Sequence, residues 1–267
     1  MTAWRPDWDK LIAEAPVLRL EEPKGFVYLV ADAHLGDSRS PVPDFLAMLH
    51  HLEDPSLVVL LGDLFKVWLA LPKFWDTQVR LLLEGLQQLR ARGIPLWFVV
   101  GNRDFFLPRR PALLQSSGLP FDAVIPEAAL LEWNGRRYGL THGDLANRDD
   151  TQYLRWRRLS RSRPFEALFR AMPGPLARQL ALHLETVLAN TNQDIKILYP
   201  AEELDAFAHD LLHHPRKLDA AFIGHFHREE TITSPGHPGA LRIVPDWFST
   251  RKIMRLYPSG TVETLKL

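Results

Sequence analysis

Cysteine is absent from the 267 residues. That excludes disulfides, thiolate nucleophiles and Cys-bound zinc. Also missing is any uninterrupted apolar run of the roughly 18 residues that a membrane-spanning helix needs. Charge of one sign is lacking too, because 32 basic and 32 acidic residues cancel, so global charge gives no case for nucleic acid as a partner. Neither a G-x-G-x-x-G nor a Walker loop occurs, and there are no internal repeats or low-complexity tracts. No obligate protein partner is implied. What is present, 46% hydrophobic and 24% charged residues, is the composition of an ordinary globular chain, long enough for one large α/β domain with a sizeable core.

The first 22 residues mix Asp7, Asp9, Lys10 and Glu14 among apolar positions, which reads as a short helical extension and not as a signal-peptide core. Beyond them a pattern recurs. Phe26 to Ala31 is a short apolar strand that delivers Asp32-Ala33-His34, and residues two apart in an extended segment lie on one side. After a helix over 43–52, Leu57 to Leu61 is five apolar residues in a row, closed by Gly62-Asp63; such a run reads as a strand buried on both faces. A second helix spans Asp76 to Arg92, with Val79, Leu82, Leu83, Leu86 and Leu89 on one stripe. A strand over Pro95 to Val100 then delivers Gly101-Asn102-Arg103-Asp104. This succession of strand and helix implies a parallel core.

The style then changes. Ala128 to Trp133, the turn Asn134-Gly135 and Arg136 to Thr141 form a β-hairpin by sequence, since Asn-Gly favours the tight primed turn. The hairpin ends in His142-Gly143-Asp144. From Leu145 to Asn192 no strand signal occurs, which predicts a helical insertion interrupted at Pro164 and at Pro173-Gly174-Pro175. Eight arginines against three acids lie between Arg148 and Arg178, interleaved with Tyr153, Trp156, Leu159, Phe165, Leu168 and Phe169. Such a stretch is either a solvated helix face over a packed one or a basic, greasy cap that meets an anionic ligand or a membrane surface. A helix over 201–214 and a strand over 218–223 follow, the strand delivering Gly224-His225-Phe226-His227; an antiparallel β segment, 241–244, 252–257 and 261–266, closes the chain.

Five strand ends thus carry Asp32 and His34, Asp63, Asn102, His142, and His225 with His227. Imidazole and carboxylate without thiolate suit divalent ions such as manganese, iron or zinc. Eight ligand positions around two ions require sharing, and Asp63 is the candidate bridge.

The order D-x-H, G-D, G-N-x-D, H-G-D, G-H-x-H resembles that of the calcineurin-like metallophosphoesterase superfamily, over most of the chain. The resemblance implies an α/β fold, a four-layer α/β/β/α sandwich with an inserted helical cap. It divides the chain into an extension (1–24), a core (25–144 and 193–267) and the cap (145–192). It also implies two divalent metal ions, Mn2+ first among them. Asp32, His34, Asp63 and His227 hold one, and Asp63, Asn102, His142 and His225 the other. Attack at phosphorus is in line, so Asp63, Asn102, Arg103 and His142 count as catalytic. Many members carry His after the Asn of the third motif as a proton donor, but here the position is Arg103. A guanidinium does not give up its proton, so the leaving group must depart without one; a phosphate monoester, with a second pKa of about 6, can do so.

Arg103, Gly62-Asp63-Leu64-Phe65 with Trp68, Asp149-Asp150 with Tyr153, Arg161-Ser162-Arg163, Met172-Pro173 and Arg242 to Trp247 are similar to the UDP-2,3-diacylglucosamine diphosphatases of lipid A synthesis. That implies cleavage of a nucleotide-sugar lipid to UMP and a lipid monosaccharide phosphate, at the cytoplasmic face of the inner membrane, by a peripheral protein. Arg103, Asp149, Tyr153, Arg157, Arg161, Asn192 and Lys196 are the expected substrate contacts. The alternative is another nucleotide diphosphate, phosphodiester or phosphoprotein substrate. The chain departs from that group at Lys66, where an acid is usual, at Leu69 to Pro72, where Gly-Asp-Asp is absent, and at Leu188 to Lys196, where a Ser-Lys pair is missing.

Overall fold

A computed structural model describes residues 5–21, 24–36, 39–108, 111–176, 179–180 and 199–267. Asn192 and Lys196 lie outside the described residues. One six-stranded sheet contains, in spatial order, β14 (Val262–Lys266), β13 (Lys252–Leu256), β2 (Phe26–Val30), β3 (Pro55–Leu60), β5 (Leu96–Val99) and β7 (Ala123–Ile125). The other is ordered β1 (Val17–Arg19), β8 (Ala128–Trp133), β9 (Arg136–Thr141), β10 (Ala220–Ile223), β12 (Ala240–Ile243) and β11 (Glu230–Thr233).

Strand alternation produces the layers. Val27 and Leu29 of β2, with Leu57 and Val59 of β3, face the second sheet and meet Leu131, Trp133, Tyr138 and Phe222. Tyr28, Val30, Val58 and Leu60 point the other way, onto helices α2 (Val42–His50) and α3 (Thr77–Ala91). On the outer face of the second sheet, Leu130, Ala221 and Ile243 pack against α1 (Trp8–Ala13) and the helix Ala201–Leu212 through Trp8, Phe207 and Leu211. Three apolar layers therefore separate four structural layers, the α/β/β/α sandwich that the motif order implied.

Strands β2, β3, β5 and β7 are mutually parallel, so their carboxyl ends deliver Asp32, Asp63 and Asn102 to one edge. In the second sheet β9 and β10 are also parallel and deliver His142 and His225 to the same edge. The predicted hairpin forms with Trp133 opposite Arg136, and positive φ at Asn134 (50°) and Gly135 (73°) is the conformation a primed turn needs.

Some expectations need correction. The closing segment is not wholly antiparallel: β12 runs parallel to β10, and β11, which the sequence reading missed, supplies its antiparallel neighbour. The N-terminal segment holds a strand as well as a helix, β1 pairing with β8. Strands of two or three residues (β1, β4 at Trp68–Leu69, β6 at Asp104–Phe105, β7) are too short to show periodicity. The expected break at Pro164 is present, between the helices Thr151–Ser160 and Arg163–Ala171; Ser162 caps the second, its side chain accepting from Phe165 N, and Pro164 sits in that helix's first turn, where its missing N–H costs nothing.

Candidate metal centre

Several motif residues are held by the backbone of another motif. Asp32 is buried and its Oδ2 accepts from His225 N at 2.7 Å. His34 N donates to Asp63 O at 3.0 Å, and Asp32 N to Gly62 O at 3.2 Å. Asp63 Oδ1 accepts from Arg103 N at 2.8 Å. Asp104, quoted in the sequence motif without a role, joins two loops: its Oδ2 accepts from both Asp63 N and Gly101 N at 2.8 Å. Burial, then the Asp63 charge, pushes its carboxyl up to about 7.

The cost of this convergence is visible in the backbone. Asp32, His34, Asp63, His225 and His227 all have positive φ, between 43° and 70°. Such left-handed conformations in non-glycine residues concentrate at functional sites. Gly62 (φ 87°) is required for space as well, since a Cβ there would stand 2.6 Å from His142 Nδ1 and 2.7 Å from the Gly101 backbone.

Two clusters of ligating atoms result. Asp32, His34 and His227 form one, with His34 Nε2 and His227 Nε2 3.2 Å apart; Asp32, Asp63 and His142 form the other. Asp32 falls in both groups, and Asp63, the candidate bridge of the sequence reading, in the second. Asn102 Oδ1 adds to the second, 2.9 Å from His142 Nε2 and 3.0 Å from His225 Nδ1.

The chemistry of these groups fits metal ions. His142 Nδ1 lies 2.7 Å from Leu61 O, a carbonyl that only accepts, so Nδ1 carries a proton and Nε2 is the nitrogen turned to the Asn102 oxygen. At that distance either a metal ion or a second ring proton lies between them. Neighbouring ligand atoms around an ion with bonds near 2.1 Å are roughly 3 Å apart, the spacing found here. Asp32 Oδ1 is buried without a hydrogen-bond partner among the described residues, 3.6 Å from His227 Nε2. The field agrees. Burial opposes a charge on His142, but Asp63, Asp32 and Asp144 together raise its pKa above the usual imidazole value. Burial, reinforced by Asp63, raises that of Asp32. Excess buried carboxylate is what a cation relieves.

Arg103 reaches back over the centre, Nε 3.5 Å from Asp63 Oδ2 and Nη1 donating to Lys66 O at 3.1 Å. Tyr153 packs its ring 6.3 Å from that of His225 and donates its hydroxyl to Asp144. The predicted contacts of the cap separate from it. Arg157 is buried; its Nε donates to Asp144 Oδ2 at 2.7 Å and its Nη2 to Glu127. Arg161 donates to Pro126 O at 2.9 Å and to Gly101 O at 3.1 Å. Asp144 is buried too, yet the Arg157 and Arg161 charges outweigh its desolvation and hold its carboxyl well below the usual range. These two arginines therefore anchor the cap to the His142 loop, and the free basic surface is smaller than the sequence count of eight. Arg148 is turned inward as well, over the Trp8 ring at 3.2 Å. Asp149 is exposed and paired with Arg5 at 2.8 Å.

A family model described as calcineurin-like phosphoesterase matches residues 27–229. A protein of Stenotrophomonas maltophilia (strain R551-3) named UDP-2,3-diacylglucosamine hydrolase is 27% identical over 250 residues, which cover 88% of this chain and 97% of that one. Its namesake in Xanthomonas axonopodis pv. citri (strain 306) is 26% identical over 252 residues, covering 89% and 98%. Among solved structures, that of a novel archaeal phosphodiesterase aligns over 91% of this chain and 99% of its own, with 11% identity and a TM-score of 0.43, too loose to carry an argument.

Proposed function

The chain belongs to the calcineurin-like phosphoesterases and is a metal-dependent hydrolase; from that premise we propose that it cleaves the pyrophosphate bond of a UDP-linked diacylglucosamine, releasing UMP and the lipid monosaccharide 1-phosphate. Asp32, His34, Asp63 and His227 would hold one divalent ion and Asp63, Asn102, His142 and His225 the other, manganese being well suited to this donor set. When bound, the ions supply Lewis acidity and activate water.

The observation that carries the reading is Arg103. Its guanidinium lies against Asp63, and in the motif it stands where many members of the family carry the proton-donating His. It binds and neutralises phosphoryl oxygens and transfers no proton. A bond whose leaving group is itself a phosphate needs no such transfer. The names of the relatives support the same substrate class. Asn102, fixed between His142 and His225, orients its amide oxygen into the centre.

The cap supports the lipid half. Leu159, Leu168 and Leu176 are 54–55% exposed, beside the exposed Arg155, Arg158 and Arg163. Exposed apolar side chains among exposed arginines suit acyl chains drawn from an anionic bilayer surface, which supports a peripheral location on the cytoplasmic face of the inner membrane as part of this proposal. Among the described residues no helix is long and apolar enough to cross one.

Product analysis tests the reading. With Mn2+ and UDP-2,3-diacylglucosamine in mixed micelles, equimolar UMP and lipid phosphate are expected. Hydrolysis confined to bis-p-nitrophenyl phosphate sinks it. Arg103→Ala should lower kcat/KM for the pyrophosphate about 100-fold, against a much smaller loss for the nitrophenyl diester.

A further inference from the structure

The helix α6 (Arg163–Ala171) ends abruptly. Pro173 follows, and the residue before a proline is driven out of the helical region; Met172 accordingly has φ −75°, ψ 138°. No left-handed glycine closes the helix, so its last carbonyls have to find partners elsewhere. A distant side chain supplies them. Lys73 Nζ donates to Phe169 O at 2.9 Å, to Arg170 O at 2.7 Å and to Met172 O at 2.8 Å. All three ammonium donors are thereby used, and a positive charge sits on the negative end of the helix dipole.

The position of Lys73 joins this contact to the metal centre. It lies four residues after β4, whose Trp68 and Leu69 pair with Asp104 and Phe105 of β6, the strand that follows Arg103. At the other end of the contact, Phe169 is fully buried, 5.2 Å from the Phe106 ring and 4.9 Å from that of Phe165. Phe106, at φ 65°, is the residue after β6. Both partners of the ammonium contact are thus built onto the Asn102–Arg103 loop. Lys73 also falls just beyond Leu69 to Pro72, where the chain departs from the Gly-Asp-Asp pattern.

We propose that Lys73 is a positioning residue, a latch that holds the carboxyl end of α6 against the Arg103 loop and so sets the register of the apolar cap for a substrate with an extended apolar part. The proposal rests on the lipid-substrate reading for its effect on turnover, and on geometry alone for its effect on the cap. Lys73→Met keeps the length and removes the three donors.

Amide hydrogen exchange on the full-length protein reads the geometry without any substrate. Exchange at 166–172 should accelerate about tenfold or more in Lys73→Met, with β3 at 55–60 unchanged, and Lys73→Arg should recover part of the protection. Unchanged exchange at 166–172 overturns the latch, as does acceleration spread equally through β3. Kinetics then read the consequence. In Lys73→Met, KM for UDP-2,3-diacylglucosamine should rise about tenfold while kcat/KM for bis-p-nitrophenyl phosphate stays within twofold. An equal fall for both substrates overturns the positioning role. If the wild type fails to cleave the lipid substrate, the substrate reading fails, and the exchange result still decides whether Lys73 holds the cap.

Discussion

At the candidate metal centre the proposed ligands hang from the ends of strands packed in apolar layers, whereas the cap reaches the core through charged side chains as well as the buried Leu154 and Phe169. Leu57, Val59 and Leu61 on one side and Val58 and Leu60 on the other are all at most 1% exposed, so the loop that begins at Gly62 starts from a fixed point. The helix α5 (Thr151–Ser160) is tied down chiefly by Arg157 on Asp144 and Glu127, and α6 ends on Lys73. Apolar packing on both faces tolerates the left-handed backbone at five ligand positions, because the strands behind it do not yield. Charged contacts impose direction instead, and lose it when one partner goes.

That difference can be broken at either end. The largest effect is expected for Asp63→Ala. Turnover should fall by about 1,000-fold or more, with loss of bound metal, measured by hydrolysis and by elemental analysis of the dialysed protein. Full metal content with near-normal rate would refute the shared-ligand role. Because the strands are untouched, the thermal midpoint of the metal-free protein should change little.

Arg157→Met tests the opposite regime. It leaves the buried Asp144 without its closest cation, and removal of one partner from a buried pair costs roughly 3–5 kcal/mol. Denaturant unfolding should show that loss, and faster exchange should appear at 151–160 before it appears in β3. Unaltered stability would mean that Arg161, whose Nη2 lies 4.0 Å from the same Asp144 oxygen, suffices.

The smallest effect is on the exposed cap surface. Leu168→Glu should move stability by no more than about 0.5 kcal/mol, yet raise KM several-fold for a substrate presented in anionic vesicles and leave the soluble diester unaffected. Equal kinetics on both would remove the exposed apolar side chains from the substrate path and sharpen the contrast, leaving the cap as a cover only.

Much of the centre was legible before folding because its signals are local. An apolar run followed by Asp, Asn or His announces a strand end, and five such ends in one order define a ligand set. The contribution of Asp104 was not legible, since what matters is that one oxygen serves Asp63 N and Gly101 N across 41 and 3 residues. Nor was the division among the cap arginines. A helical sequence shows an arginine on a face, but not that Glu127 and Asp144 wait beneath it. Pro164 marked the break between the two cap helices correctly, and the Ser162 cap shows how: the proline sits in the first turn of the second helix.

By itself, then, the sequence determined the strand–helix alternation and the ligand-type residues at the strand ends, because burial and period are properties of neighbouring residues, while the layers came only through the resemblance that the motif order carries. Only the tertiary structure decided that Asp32 stands in both clusters, that Arg157 and Arg161 face inward, and that a lysine nearly 100 positions away closes the cap helix. Those outcomes depend on which charges meet in a low-dielectric interior, and their spacing along the chain carries no trace of it.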